Sequence, residues 1–93
     1  MVKVILEGFI EIPEVELPQV LDALPEHREL TLCEPGCLLF NVEPDERQPY
    51  RYNVYEEFIN RKAFEYHQER VKGSKWGKVT INVKRHYRVY ELS

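Results

Sequence analysis

Cysteine is scarce in this chain, which has only Cys33 and Cys37. Two are too few for the disulfide framework that holds small secreted folds together, and as free thiols they agree with a reducing compartment. Long apolar runs are missing too. No stretch approaches the roughly 20 residues of a membrane span. The opening MVKVILEGFIEIP lacks the extended apolar segment of a secretory signal. A cytoplasmic protein without membrane association is expected. Internal repeats, linkers and low-complexity tracts are also absent, so residues 1–93 are read as one domain.

A large excess of either charge is lacking as well, the net value being −3, but the charges are unevenly laid. From Arg61 to Arg88, nine Lys or Arg stand against two Glu, whereas the remainder carries four basic and fourteen acidic residues. Such polarity steers an anionic small molecule or joins acidic to basic faces in a dimer; two differently charged, solvated faces are the simpler reading. A hydrophobic content of 43% and an aromatic content of 12% are enough for a folded chain. At this length the core is modest, and self-association commonly adds stability.

The stretch from Asn60 to Val79, NRKAFEYHQERVKGSKWGKV, organises the rest. Asn60 suits an N-cap, and Ala63, Phe64, His67, Gln68 and Val71 recur at three- and four-residue steps, which predicts one helix with these residues on its inner face. Arg61, Lys62, Glu65, Glu69, Arg70 and Lys72 fall on the outer, solvated face. A short segment bounded by Gly73 and Gly77 follows and carries the only tryptophan, Trp76.

Upstream, Val2 to Ile12 alternates with the period of a strand, ended by Pro13. Leu17, Val20, Leu21, Leu24, His27 and Thr31 make a helical stripe between Glu14 and Glu34, with Pro25 expected to kink the helix or start a second one. Pro35-Gly36 turns the chain. Cys37 to Glu43 and Tyr50 to Ile59 read as strands around a polar turn, and Lys84 to Leu92 as a fourth strand. The order βαββαβ predicts an α+β, ferredoxin-like fold, with a four-stranded antiparallel sheet and both helices on one face. In the first strand Ile5 and Phe9 alternate with Val4, Leu6 and Ile10, so both faces carry large apolar side chains. A second copy of the chain is expected to cover the face without helices.

PEHRELTLCEPGCLLFNVEPD, YNVYEEFINRKAFEYHQ and SKWGKV together resemble the antibiotic biosynthesis monooxygenase family, which includes quinol monooxygenase-like proteins. The likeness runs from Val2 to Glu91, and Glu34-Pro35-Gly36-Cys37, Tyr55-Glu56 and Ala63-Phe64 with His67 are its most specific parts. It implies a homodimer whose sheets close into a dimeric α+β barrel, with a small-molecule pocket between sheet and helices. It also implies oxygenation of an electron-rich aromatic substrate by molecular oxygen without metal or flavin. A non-oxygenase protein of the same barrel superfamily, either a small-molecule binding protein or an isomerase or lyase using the same pocket, is the alternative.

For that chemistry the protein supplies a base, a pocket and stabilisation of a substrate anion. His67 is the candidate base, since an imidazole titrates near neutrality and this one is predicted to face inward; a core histidine with one hydrogen bond is the plainer reading. Glu56 shares a strand face with Tyr52, Val54 and Phe58 and is expected either to orient His67 or to form an ion pair elsewhere. Trp76 walls the pocket or donates its N–H to an oxyanion. Phe64, Tyr52 and His27 complete the expected binding surface, His27 having a cap or kink role beside Pro25 as its competing reading. His86 belongs to no motif.

Cys33-x-x-x-Cys37 is half a zinc site at most, with no histidine motif beside it. Haem-degrading relatives of this fold use a histidine after the second helix and an asparagine on the first strand, where this chain has Gly77, and Glu7 or Gly8; haem degradation is disfavoured. No metal or cofactor is expected. YRYNVYEEF lacks the third-strand signature of RNA-recognition domains and the chain is acidic, which disfavours nucleic acid.

Overall fold

The computed structural model describes residues 2–93. Strand β1 (Lys3–Glu11) leads through a short 3-10 turn (Glu14–Glu16) into helix α1 (Leu17–Leu32). The hairpin β2 (Cys37–Pro44) and β3 (Arg51–Phe58) follows, then α2 (Arg61–Lys72), a one-turn helix α3 (Lys75–Val79) and β4 (Lys84–Leu92). The antiparallel sheet has the order β2-β3-β1-β4. This is the expected α+β, ferredoxin-like arrangement.

Register and the two-residue period of a strand decide what faces the helices. Leu6 pairs with Glu56 on one side and Val89 on the other, and Phe40 is the β2 partner of Glu56. Glu56 therefore shares the helix-covered face with Val54 and Phe58. Val4, Leu6 and Ile10 of β1, Val20, Ala23 and Leu24 of α1, Phe64 of α2 and Trp76 of α3 join them in one buried cluster. Phe58 is fully buried, and a side chain of that size contributes roughly 1.5–3 kcal/mol by leaving water.

Three local expectations differ from what is seen. Helix α1 runs through Pro25 as a single element. Pro25 lies on the exposed side of the helix, where a missing backbone hydrogen bond costs least. Gln68 is exposed rather than inward, leaving Phe64 and His67 as the buried residues of α2. The glycine-bounded segment forms α3, started by Ser74, whose side chain accepts from the Gly77 N–H.

The open face of the sheet mixes apolar and ionic groups. Ile5 is fully buried within it, whereas ion pairs Lys3–Glu57, Arg51–Glu11 and Arg88–Glu7 surround it. A hollow of ≈ 670 Å³ lies at Gly8, between Phe9, Tyr55 and His86. Gly8 has φ 153°, and a Cβ there would come 1.9 Å from the His86 carbonyl oxygen on β4. Only glycine lets the two strands approach so closely at this point.

Candidate active site

His67 is brought to its partners by a close approach of backbones. The Pro35-Gly36 turn after α1 lies against the start of α2, where a Cβ on Gly36 would come 2.3 Å from that of Ala63. The Gly36 carbonyl accepts from the Ile59 N–H at 2.9 Å. That packing places Glu34, itself buried, beside the helix α2 residue one turn beyond Ala63.

His67 Nδ1 is 3.0 Å from Glu34 Oε2 and 3.2 Å from Oε1. A carboxylate only accepts, so Nδ1 carries the hydrogen and donates, and the lone pair is left on Nε2. Arg70 holds the same carboxylate, Nε donating to Glu34 Oε2 at 2.6 Å, while its Nη2 donates to Thr31 Oγ1 at 3.1 Å. Nε2 of His67 is directed to Glu56, whose Oε1 is 3.7 Å away. This is longer than a hydrogen bond, and Glu56 Oε1 is buried with no partner. The orientation of His67 thus comes from Glu34, which the sequence reading had not placed in the site, while Glu56 is its neighbour across a gap.

Burial pushes the His67 imidazole below its ordinary value, against the hydrogen bond and charge of Glu34, which raise it. The ring is therefore neutral at pH 7 and able to take a proton. Glu56 moves the other way. Burial, and then the charge of Glu34, push its carboxyl up to about 7, within the useful range of a general acid or base.

His27 lies on the other side of the cluster, on the inward face of α1 one turn before Thr31. Its ring stacks on Trp76, with centroids 4.6 Å apart and planes 6° apart, and Phe40 meets it edge-on at 5.3 Å. It packs in the interior against Trp76 and Phe40, and α1 continues past Pro25 as one helix. Burial, then the charges of His67, Arg70 and Arg85, push His27 down to about 3. Its Nδ1 is buried and without a partner. Two unpartnered polar atoms, on His27 and Glu56, therefore lie in the interior to which His67 belongs.

The remaining predicted residues divide. Phe64 is buried, edge-on to Phe58 at 5.6 Å, and Phe58 lies 5.0 Å from the His67 ring. Tyr52 pairs with Ile10, four residues back from Glu56 and so about 13 Å along the strand. It packs on the far part of the core and is not brought to the histidines. The sequence reading put Arg70 on the solvated face, although a residue three after His67 flanks the same side of a helix. Tyr87 was not singled out. It is 38% exposed overall, yet its hydroxyl sits where burial, then the charge of Glu56, push it up to about 12. Beside the cluster, between α2, α3 and β4, a cleft of ≈ 390 Å³ is lined by Gln68, Val71, Lys72, Gly77 and Arg85.

Cys33 is exposed and Cys37 half-buried, both free; burial pushes the Cys37 thiol up to about 11. Among the described residues no group of three or more His, Cys, Asp or Glu is arranged to hold a metal ion. No helix among them is long and apolar enough to cross a membrane.

The shift of Glu56 makes a prediction about stability. Its folded value lies above its unfolded value near 4.5, so between these the folded state binds more protons and this group's contribution falls as pH rises from about 4.5 to about 7. Glutamine mimics the protonated form. Glu56→Gln should raise stability at pH 8 by about 1–3 kcal/mol and leave it nearly unchanged at pH 4.5. Urea denaturation at both pH values checks this, and an equal effect at each would contradict it.

The profile of the antibiotic biosynthesis monooxygenase family matches residues 3–76. No curated protein matches the chain. Among solved structures, a Nitrosomonas europaea protein named for antibiotic biosynthesis monooxygenase is similar, with TM-score 0.77 and 18% identity over 100% of this chain and 97% of that one. MupZ from Pseudomonas fluorescens has TM-score 0.75 and 18% identity over 95% and 69% of the two chains. A Bacteroides thetaiotaomicron protein with the family's name has TM-score 0.75 and 18% identity over 99% and 88%. Likeness at this identity establishes the fold.

Proposed function

The chain belongs to the antibiotic biosynthesis monooxygenase family, and on that premise we propose that it is a cofactor-independent monooxygenase acting on an electron-rich aromatic small molecule of the quinol or anthrone type. The observation that carries the reading is the buried His67, its Nδ1 held by Glu34 and its Nε2 3.7 Å from the unpartnered Oε1 of Glu56 in an aromatic interior.

In this reading His67 Nε2 takes a proton from the substrate, and the resulting anion passes an electron to molecular oxygen. Radical and superoxide combine at carbon to give a hydroperoxide. Loss of water from it leaves a carbonyl, so that CH₂ and O₂ become C=O and H₂O. Glu56, near its point of half-protonation at pH 7, supplies the proton that lets hydroxide leave as water. Trp76, His27 and Phe64 form aromatic walls that exclude water and favour a planar ring. Tyr52, at the far end of the same strand face, is given no role.

Oxygen uptake by the purified, metal-free protein with a panel of quinols and anthrones tests the activity. Consumption of one O₂ per product, abolished in His67→Gln, supports it. Tight binding of the same compounds with no uptake would favour a non-oxygenase protein that binds or isomerises them.

The same proposal includes a homodimer whose sheets close into an α+β barrel. The support is the uncovered face of the sheet, with Ile5, Phe9, Tyr55 and Tyr90 among its ion pairs and a hollow at Gly8. An interface of the standard class, on the order of 1,600 Å² in total or more, is expected there. Sedimentation velocity should give a dimer, and a folded monomer at micromolar concentration would contradict it.

A further inference from the structure

Arg85 differs from Arg70, the arginine that holds Glu34, in having no carboxylate beside it among the described residues. Arg51, Arg61, Arg70 and Arg88 each have a carboxylate partner, whereas Arg85, among the described residues, has none. Its guanidinium is steadied by neutral oxygens instead. Nη2 donates to Thr80 Oγ1 at 2.7 Å, and Nη1 reaches the carbonyls of Thr80 at 3.3 Å and Val83 at 3.4 Å. Thr80 is itself tied to α3, its hydroxyl donating to the Trp76 carbonyl at 2.6 Å. The cation is thus oriented without being neutralised.

The cleft of ≈ 390 Å³ that Arg85 lines has no acidic residue in its wall. Lys72, the second cation there, pairs with Glu69 at 3.6 Å, but both side chains are more than three-quarters exposed. Such a pair holds its lysine loosely. On the inner side the cleft adjoins the reactive cluster: Val71 lies one turn beyond His67, and Gly77 follows Trp76. The surrounding segment from Arg61 to Arg88 carries the chain's excess of positive charge, which draws anions toward this side.

We propose that this cleft is an anion subsite, in which Arg85, with Lys72 beside it, holds a carboxylate on the aromatic substrate while the ring reaches toward His67 and Trp76. The inference rests on the aromatic-substrate reading of the site and deepens it to a hydroxylated aromatic carboxylate. A guanidinium without a counter-charge suits a carboxylate, and a volume of this order suits a ring system with one substituent. The field of Arg85 also acts on the cluster, after burial and the charges of His67 and Arg70, in lowering His27.

Anaerobic titration calorimetry with 1,4-dihydroxy-2-naphthoate and 1,4-dihydroxynaphthalene tests it, since the two differ only by the carboxylate. The carboxylate should bind at least about 10-fold more tightly, with an advantage that shrinks as salt is raised. Arg85→Gln should remove most of that advantage and leave the neutral quinol's affinity in place. Arg85→Lys should keep part of it, and Lys72→Gln, on an exposed side chain, should reduce it by roughly two- to fivefold. Equal affinity of the two probes, no binding of the carboxylate, or a preference untouched by both Arg85→Gln and Lys72→Gln would overturn the proposal. If Arg85→Gln fails to fold, the Arg85→Lys and Lys72→Gln titrations decide by the same criterion. Oxygen uptake is read separately. A carboxylate preference without uptake of oxygen leaves the subsite standing and removes the monooxygenase reading, whereas uptake without preference does the reverse.

Discussion

Replacing His67 by glutamine is expected to lower turnover by roughly 10²- to 10⁴-fold, the range for loss of a general base. Glutamine retains an N–H for Glu34 but takes up no proton near neutrality. The fold should therefore survive while the chemistry stops. The pH dependence makes the test sharper. Because burial holds His67 below its ordinary value, the wild-type rate should rise on the acid side of about 6.5. It should fall again above about 7 as Glu56 loses the proton it donates. His67→Gln should lack the rising limb. A variant with wild-type turnover and an unchanged rising limb would mean that the proton is taken elsewhere. His67→Ala separates a structural role, since loss of the Nδ1 donor to Glu34, which keeps Arg70, would by itself cost about 1–3 kcal/mol of stability without changing turnover per folded molecule.

Glu34→Ala should destabilise the protein by about 3–5 kcal/mol, the usual cost of breaking a buried charge pair from one side. Two donors lose their acceptor at once, His67 Nδ1 and Arg70 Nε. Arg70 is partly exposed and recovers some hydration, but His67 is buried and does not. Glu34→Gln should cost less, since an amide oxygen still accepts from one donor. Because Glu34 is the group that raises His67, either substitution should move the activating limb of the rate profile further to the acid side. Urea denaturation and a pH–rate profile measure the two effects. A loss below 1 kcal/mol together with an unmoved limb would show that the contact does not position the base.

These expectations give Glu34, His67 and Glu56 distinct jobs within one buried cluster. Glu34 fixes the tautomer, His67 offers the lone pair, and Glu56 holds a proton of near-neutral affinity. The low value of His27, about 3, keeps that ring uncharged throughout the working pH range, so it serves as a flat neutral surface against Trp76.

Periodicity along the sequence was sufficient for part of this. A strand repeats every two residues, so Glu56 had to share a face with Val54 and Phe58. A helix repeats every 3.6, so His67 had to fall with Phe64 on the inner side of α2. Element order then determined the ferredoxin-like sheet with helices on one face. Periodicity speaks only of residues within one element, however. Glu34 meets His67 across 33 positions because the Gly36 turn allows α2 to lie against it, a contact that no local repeat encodes. Arg70 reads as a solvated charge on its own helix and becomes a partner only when Thr31 and Glu34 arrive from α1 and the turn after it. In the sequence Trp76 lies in a short segment bounded by Gly73 and Gly77. Capping by Ser74 and Thr80 makes α3, and only the packing of α3 on α1 sets its indole against His27. The sequence alone determined the element order and which residues of a strand share a face; the tertiary structure decided which face is covered and which groups meet there, because burial and long-range contact, not spacing, select a buried group's partner and its proton affinity.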